Sequence, residues 1–288
     1  MLIDLQLHST YSDGYLSPTE LVEFIASQGI KIASLTDHNT IGGVSEFKKA
    51  CYRHDIKPIV GLELYIKLGV KKMNLLWYNF DRHNPELHNI LRDSQIRRKN
   101  TIRKILEKIT QKGIKIDINK TLDKYMHYLP INHLVDDILA IPGNKAKIAK
   151  NLNIKNPREA EIIRYYFYNP KIGVLRESYI GIERILNLRK KIGGHIILNH
   201  PGKHGSVDRA TLRKLKNLGV DGLELISPHH SIASIMYLQT MARELDFITT
   251  GGSDFHRHEG SKYAIQNSFQ YLKINPKNLR KIKKICTI

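Results

Sequence analysis

A chain of 288 residues with 41% hydrophobic content can bury a large core, as one big domain or as a domain with an insertion. No apolar run approaches the roughly eighteen residues of a membrane span, no basic-then-apolar leader is read, and Cys51 and Cys286 are too few for a disulfide framework, so the reading expects a cytoplasmic protein. The formal net charge of +19 points to phosphate-bearing ligands, nucleotide or nucleic acid, although a composition biased to Lys, Ile and Asn gives the same excess.

Ile3, Leu5 and Leu7 alternate with Asp4, Gln6 and His8, the pattern of a short strand with one buried face. Ser17-Pro18-Thr19-Glu20 then opens a helix, with a capping serine and proline in the first turn. Ile32, Ala33 and Leu35 form a second strand that ends on Asp37-His38. A helical stretch from Val44 to Arg53 leads to a third strand, Pro58 to Tyr65, whose apolar run is broken by Glu63. An acid there is costly unless it is paired or holds a metal. Met73 to Tyr78 reads as a fourth strand.

From Asp81 to Ile192 the rhythm is helical. Leu87, Ile90, Leu91, Ile102, Ile105, Leu106 and Ile109 recur at spacings of three and four, on a face backed by Arg97, Arg98, Lys99 and Lys104. Tyr165, Tyr166, Phe167 and Tyr168 make an aromatic cluster that reads as core or as a docking face, with base stacking as the alternative. Alternation of strand and helix returns with His195-Ile196-Ile197-Leu198-Asn199-His200-Pro201, a strand ending in His. Asp221–Ile226 is another, ending at Ser227-Pro228-His229-His230, and Phe247–His256, through Asp254-Phe255-His256, is a third. Helical stretches are expected over 208–217, 232–244 and 276–285. Repeated β-α units predict a parallel α/β architecture, and seven strands with ligands at their ends favour a barrel over an open sheet. The predicted organisation is a barrel over 1–80 and 193–288 with a helical insertion or cap over 81–192.

The strand ends supply His8, Asp13, His38, Glu63, His200, Asp254 and His256. Neutral imidazole and carboxylate are the ligands of divalent metals such as zinc, manganese and iron. A single strand-end histidine is more often a structural residue. Seven acids and imidazoles buried together without cations would be prohibitive, so the set predicts a metal site.

The same residues carry a resemblance. Asp4-x-Gln6-x-His8-Ser9 with Ser12-Asp13-Gly14, then Thr36-Asp37-His38-Asn39, Gly61-x-Glu63, Asn199-His200-Pro201-Gly202 and Gly252-Ser253-Asp254-Phe255-His256 resemble the PHP (polymerase and histidinol phosphatase) family. The branch resembled is that of nucleoside 3′,5′-bisphosphate phosphatases and short-RNA 5′ exonucleases, over about residues 1–80 and 190–260. The resemblance implies a distorted (β/α)7 TIM-like barrel holding one to three divalent metals (Mn, Zn, Fe or Mg) at the strand C-termini. By motif position His8, Glu63 and Asp254 would serve one metal, Glu63 and His200 a second, and Asp13, His38 and His256 a third. It implies hydrolysis of a phosphomonoester on a small, nucleotide-like substrate by a metal-bound hydroxide. Lys203 would meet the phosphate. His229 would meet substrate or protonate a leaving group, with His230 beside it, although both histidines also read as solvent-facing loop residues. Short RNA is the other substrate implied; neither a membrane nor an obligate protein partner is.

The chain departs from that pattern where imidazoles are usual, at Gln6 in the first motif and Asn74 in the fourth strand. It also carries Ile141-Pro142-Gly143-Asn144-Lys145 where relatives have Arg-Pro-His. Amide oxygens ligate hard cations but substitute poorly for imidazole on zinc. The sequence therefore leaves open an active phosphoesterase with harder or fewer metals, a degenerate member that binds a phosphate ligand or partner without turnover, and an exonuclease.

Overall fold

The computed structural model describes residues 1–203, 205, 207–258 and 272–286. The chain divides into two compact units, one formed by Met1–His88 with Tyr179–Ile288 and the other by Asn89–Ser178.

The first unit is built on an eight-stranded mixed sheet. Strand β1 (Leu2–Leu7) leads to helix α1 (Pro18–Ser27), whose Ser17 hydroxyl accepts the Glu20 N–H while the Glu20 carboxylate accepts the Ser17 N–H, a capping box. Strand β2 (Ile30–Leu35), helix α2 (Val44–Arg53) and strands β3 (Lys57–Leu68) and β4 (Lys71–Tyr78) follow. β1, β2 and β3 are parallel, as the β-α alternation predicts. β4 is not: it runs antiparallel to β3, because β3 continues past Tyr65 to Leu68 and only Gly69 and Val70 separate the two, far too few for a crossover. Leu7, Leu21, Val22, Ile25, Leu35, Phe47 and Cys51 pack α1 and α2 onto the sheet. Each such aliphatic side chain, fully buried, contributes about 2 kcal/mol.

The second unit holds the rest of helix α3 (Pro85–Gln111), helices α4 (Ile118–Lys124), α5 (Ile131–Ala140), α6 (Asn144–Leu152) and α7 (Glu159–Phe167), and a two-stranded ribbon of β5 (Tyr168–Asn169) and β6 (Gly173–Val174). Its core takes Ile102, Ile105, Leu106 and Ile109 from the predicted apolar face of α3, with Tyr166 and Phe167 from the aromatic cluster. Arg98 is not on a solvent face. It is 4% exposed, donates to the Leu129 carbonyl at 2.8 Å, pairs with Glu177 and lies 4.3 Å over the Tyr128 ring.

The chain re-enters the first unit through β7 (Ile180–Gly181) and helix α8 (Ile182–Ile192). Strand β8 (His195–Leu198) pairs antiparallel with β4. Helix α9 (Arg209–Leu218), strand β9 (Gly222–Ile226), helix α10 (Ile232–Glu244) and strand β10 (Ile248–Gly251) then complete a parallel β8-β9-β10 set. The segment after β10 bonds back to β1: Asp254 N–H donates to the Gln6 carbonyl and His8 N–H to the Phe255 carbonyl, both at 3.0 Å. Gly252 permits this approach, since a Cβ there would lie 2.4 Å from the Gln6 Cβ. In place of the helix expected over 276–285 stand two three-residue 3-10 turns, Pro276–Asn278 and Ile282–Lys284, separated by Lys281 with a φ of 55°.

Candidate metal centre

The alternation in β1 proves to bury both faces. Asp4, Gln6 and His8 are 0–1% exposed, so the polar face looks into the sheet's interior rather than to water. Glu63 on β3 and Glu224 on β9 are likewise fully buried. Side chains at the strand ends meet there. His8 Nε2 lies 3.1 Å from Glu63 Oε2 and 3.2 Å from Asp254 Oδ1. On the other side of the same ring, Asp13 Oδ1 lies 3.5 Å from His8 Nδ1 and 3.3 Å from His256 Nε2, while Asp13 Oδ2 is 3.6 Å from His38 Nε2. The His8 and His256 rings stack with centroids 4.2 Å apart.

Among the described residues, two groups have donor atoms that all lie within 4.8 Å of one another: His8, Asp13, His38 and His256, and His8, Glu63 and Asp254. Imidazole with carboxylate suits a divalent cation, so both fit one. His200 stands in neither group, although its Nε2 is 3.5 Å from Glu63 Oε1. His200 and Asp254 both hold left-handed backbone, with φ of 24° and 52°. Such strain persists where the surroundings fix a side chain's direction.

The two sequence departures fall around Glu63. Gln6 Nε2 donates to Asp254 Oδ1 at 2.9 Å and, more weakly, to Glu63 Oε2 at 3.4 Å. Asn74 Nδ2 donates to Glu63 Oε1 at 2.6 Å, and Asn199 Nδ2 donates to the same oxygen at 2.7 Å.

Burial alone would raise every acid here. The His38, His200 and His8 imidazoles overcome it at Glu63 and hold that carboxyl well below the usual range. Asp13 is held low by His38, His256 and His8, and Asp254 by His229 and His8. His8 is raised well above its ordinary value against its own burial by Asp254 and Glu63, whereas burial takes His38 down to about 4.

Lys203 Nζ lies 3.8 Å from Asp254 Oδ2, and His229 Nε2 meets the same oxygen at 2.7 Å. His230 is placed differently. Its Nδ1–H donates to the Leu225 carbonyl at 2.9 Å and its Nε2 accepts the Gly202 N–H at 3.0 Å, so both nitrogens serve the backbone. The sequence reading missed Asp37, which accepts the Ser9 N–H and the Ser9 and Ser12 hydroxyls at 2.8, 2.7 and 2.5 Å and so fixes the loop carrying Asp13. Its place next to His38 was the available signal. It also missed Tyr65, whose ring stacks on His38 at 4.6 Å. Asp13, His38, Glu63, His200, Asp254 and His256 open onto a cleft of about 610 Å³ that Tyr65, Lys71, Lys72, Tyr179 and Lys203 also line.

Residues 4–129 match the family model of the PHP domain. The chain is 27% identical over 265 residues to a 5′-3′ exoribonuclease of Haemophilus influenzae, covering 88% of this chain and 89% of that protein. It is 25% identical to a 3′,5′-nucleoside bisphosphate phosphatase of Chromobacterium violaceum, covering 88% and 87%. Among solved structures it superposes, with a TM-score of 0.71 and 18% identity, on a Bifidobacterium adolescentis protein assigned as a metal-dependent phosphoesterase, covering 96% and 98%. The shared fold is mixed α/β with parallel strands on both sides of an antiparallel one. Over residues 4–129 the sequence motifs and the family model agree, and this part of the chain is similar to a PHP domain.

Proposed function

We propose that this protein is a metal-dependent phosphoesterase that removes phosphate from a nucleotide-like phosphomonoester. The observation that carries the reading is the pair of donor groups sharing His8, whose other members Asp13, His38, Glu63, Asp254 and His256 line a cleft that Lys71, Lys72 and Lys203 also line. His8, Glu63 and Asp254 would hold one cation, and Asp13, His38 and His256 another. Bound there, divalent cations supply charge to phosphoryl oxygens and lower the pKa of a water, so no side-chain nucleophile is needed.

The chain's own residues do the positioning. Lys203, beside Asp254, places a fixed positive charge against a phosphoryl oxygen. His229, held by Asp254, stands where it can pass a proton to the leaving oxygen. His230 ties the Gly202 turn to β9 and so positions Lys203. Lys72, 5.1 Å over the Tyr179 ring, offers charge to a second phosphate and the ring a face to a base. The β1 bonds to the segment after β10 support a distorted seven-stranded (β/α)7 barrel, and the 81–192 stretch, set into it in sequence, is read as the insertion. No helix among the described residues is long and apolar enough to cross a membrane. Two free buried cysteines suit the reducing cytoplasm the reading assigns.

The resemblance to an exoribonuclease favours short RNA as a second substrate. The test is hydrolysis of p-nitrophenyl phosphate, adenosine 3′,5′-bisphosphate and a short 5′-phosphorylated RNA with added Mn²⁺. Turnover that chelator and Asp254→Ala both abolish is the expected result. Nucleotide binding without metal-dependent turnover would replace the reading with that of a binding protein.

A further inference from the structure

Glu63 divides its two oxygens between two environments. Oε2 faces His8 at 3.1 Å and the Gln6 amide at 3.4 Å, with Asp254 bonded to that same amide. Oε1 faces the amides of Asn74 and Asn199 at 2.6 and 2.7 Å and His200 at 3.5 Å. Three side-chain amides thus converge on one buried carboxylate, each with its nitrogen inward.

For Gln6 and Asn199 the other half of the amide is ill-matched. Gln6 Oε1 and Asn199 Oδ1 are buried, on residues 0% and 2% exposed, and neither has a hydrogen-bond partner. Leaving such an oxygen dry costs about 1–3 kcal/mol. Amide oxygen and nitrogen are nearly isosteric, so a half-turn of the terminal bond exchanges them. The exchange would be unfavourable against a bare carboxylate and favourable against a cation. The other group, His8, Asp13, His38 and His256, is three imidazoles and one carboxylate.

We propose that the centre is divided by ligand hardness. The Glu63 side, where Gln6, Asn74 and Asn199 turn their amide oxygens inward, takes a hard cation of the Mg²⁺ or Mn²⁺ class. The group of Asp13, His38 and His256 takes a borderline metal of the Zn²⁺ or Fe²⁺ class. Carboxylate and carbonyl oxygens suit the former and imidazole the latter. In the metal-free protein the same amides donate to Glu63 and Asp254 and hold those carboxylates in place. The inference rests on the metal-dependent reading above and adds to it which residues choose the metal.

The experiment needs no activity. The full chain is stripped with chelator, equilibrated with equal concentrations of Mn²⁺ and Zn²⁺, desalted and analysed for both elements. The expected result is one Zn per chain together with at least one Mn. Gln6→His with Asn74→His should replace the Mn by Zn, raising Zn by at least one per chain. Zinc at every position of the unaltered protein, or manganese at every position, overturns the division, and that competition decides the matter even if the double variant does not fold. A folded double variant with unchanged metal content likewise overturns the role of the two amides. Retention of neither metal by the unaltered protein would remove the metal-dependent reading itself, a result distinct from the others.

Discussion

Asp4 offers a direct test of the buried polar interior. Its carboxylate is 1% exposed; Oδ1 accepts the Gln6 N–H at 3.2 Å and the Ser253 N–H at 3.0 Å, while Oδ2 has no hydrogen-bond partner. Burial, against those hydrogen bonds, pushes its pKa from 3.8 up to about 7. A carboxyl whose folded pKa is raised opposes folding increasingly as pH climbs above 3.8, and the cost levels off above about 7. At about 1.4 kcal/mol per unit the full cost is about 4 kcal/mol at pH 8. Asp4→Asn keeps the accepting oxygen and removes the charge, but buries an amide nitrogen without a partner, at about 1–3 kcal/mol. Urea unfolding in chelator should therefore show the variant more stable at pH 8, with the benefit shrinking by about 2–3 kcal/mol at pH 5. An equal effect at the two pH values would refute the argument, because only a charged group gives the slope.

Lys203→Ala should lower turnover of p-nitrophenyl phosphate by about 100-fold with little change in melting temperature, and Lys203→Arg should restore most of it. An unchanged rate would remove Lys203 from the phosphate site. Arg98→Ala should destabilise the helical unit by about 3–5 kcal/mol in urea, since it strips Glu177 and the Leu129 carbonyl of a buried partner. A loss under 1 kcal/mol would mean that water replaces the guanidinium. Ser17→Ala should cost about 1 kcal/mol by removing the hydroxyl that accepts the Glu20 N–H, read from the shift in urea midpoint.

The strands and the residues that meet in the donor groups were legible because their signals are local. Alternation marks β1 and apolar runs mark β2 and β3, and the seven predicted ligands stand within or shortly after strands, Asp13 in the turn after β1. What misled was the assumption that polar residues alternating with apolar ones face water. In β1 they face a buried interior, and the same is true of Glu63 and Glu224. The direction of β4 was hidden by ending β3 at Tyr65; the Lys67-Leu68 continuation to Gly69, with its φ of 59°, makes the pair a hairpin. The work of His230 could not be read at all, since its two partners, Leu225 and Gly202, are set by a turn that only the folded chain defines. The convergence of Gln6, Asn74 and Asn199 on Glu63 is of the same kind: three strands must be assembled before three amides share one acid.

Within that one interior, six acids go two ways. Asp13, Glu63 and Asp254 face imidazoles and are held low, so they stay ionised at neutral pH. Glu224, Asp4 and Asp37 are raised, Asp37 to about 6 by burial against His8 and the bonds from Ser12 and Ser9. Burial and the neighbouring Asp254 act on Glu224, relieved chiefly by the His200 N–H, while Asp4 is relieved only by hydrogen bonds from Ser253 and Gln6. Burial acts on all six, and the three held low are those with several imidazoles against them. Two of those that are raised tie strand to strand: Glu224 accepts from the His200 backbone, and Asp4 bridges β1 to the Ser253 N–H. Opposite shifts in one interior separate the acids that face the donor cluster from those that hold its supports in position.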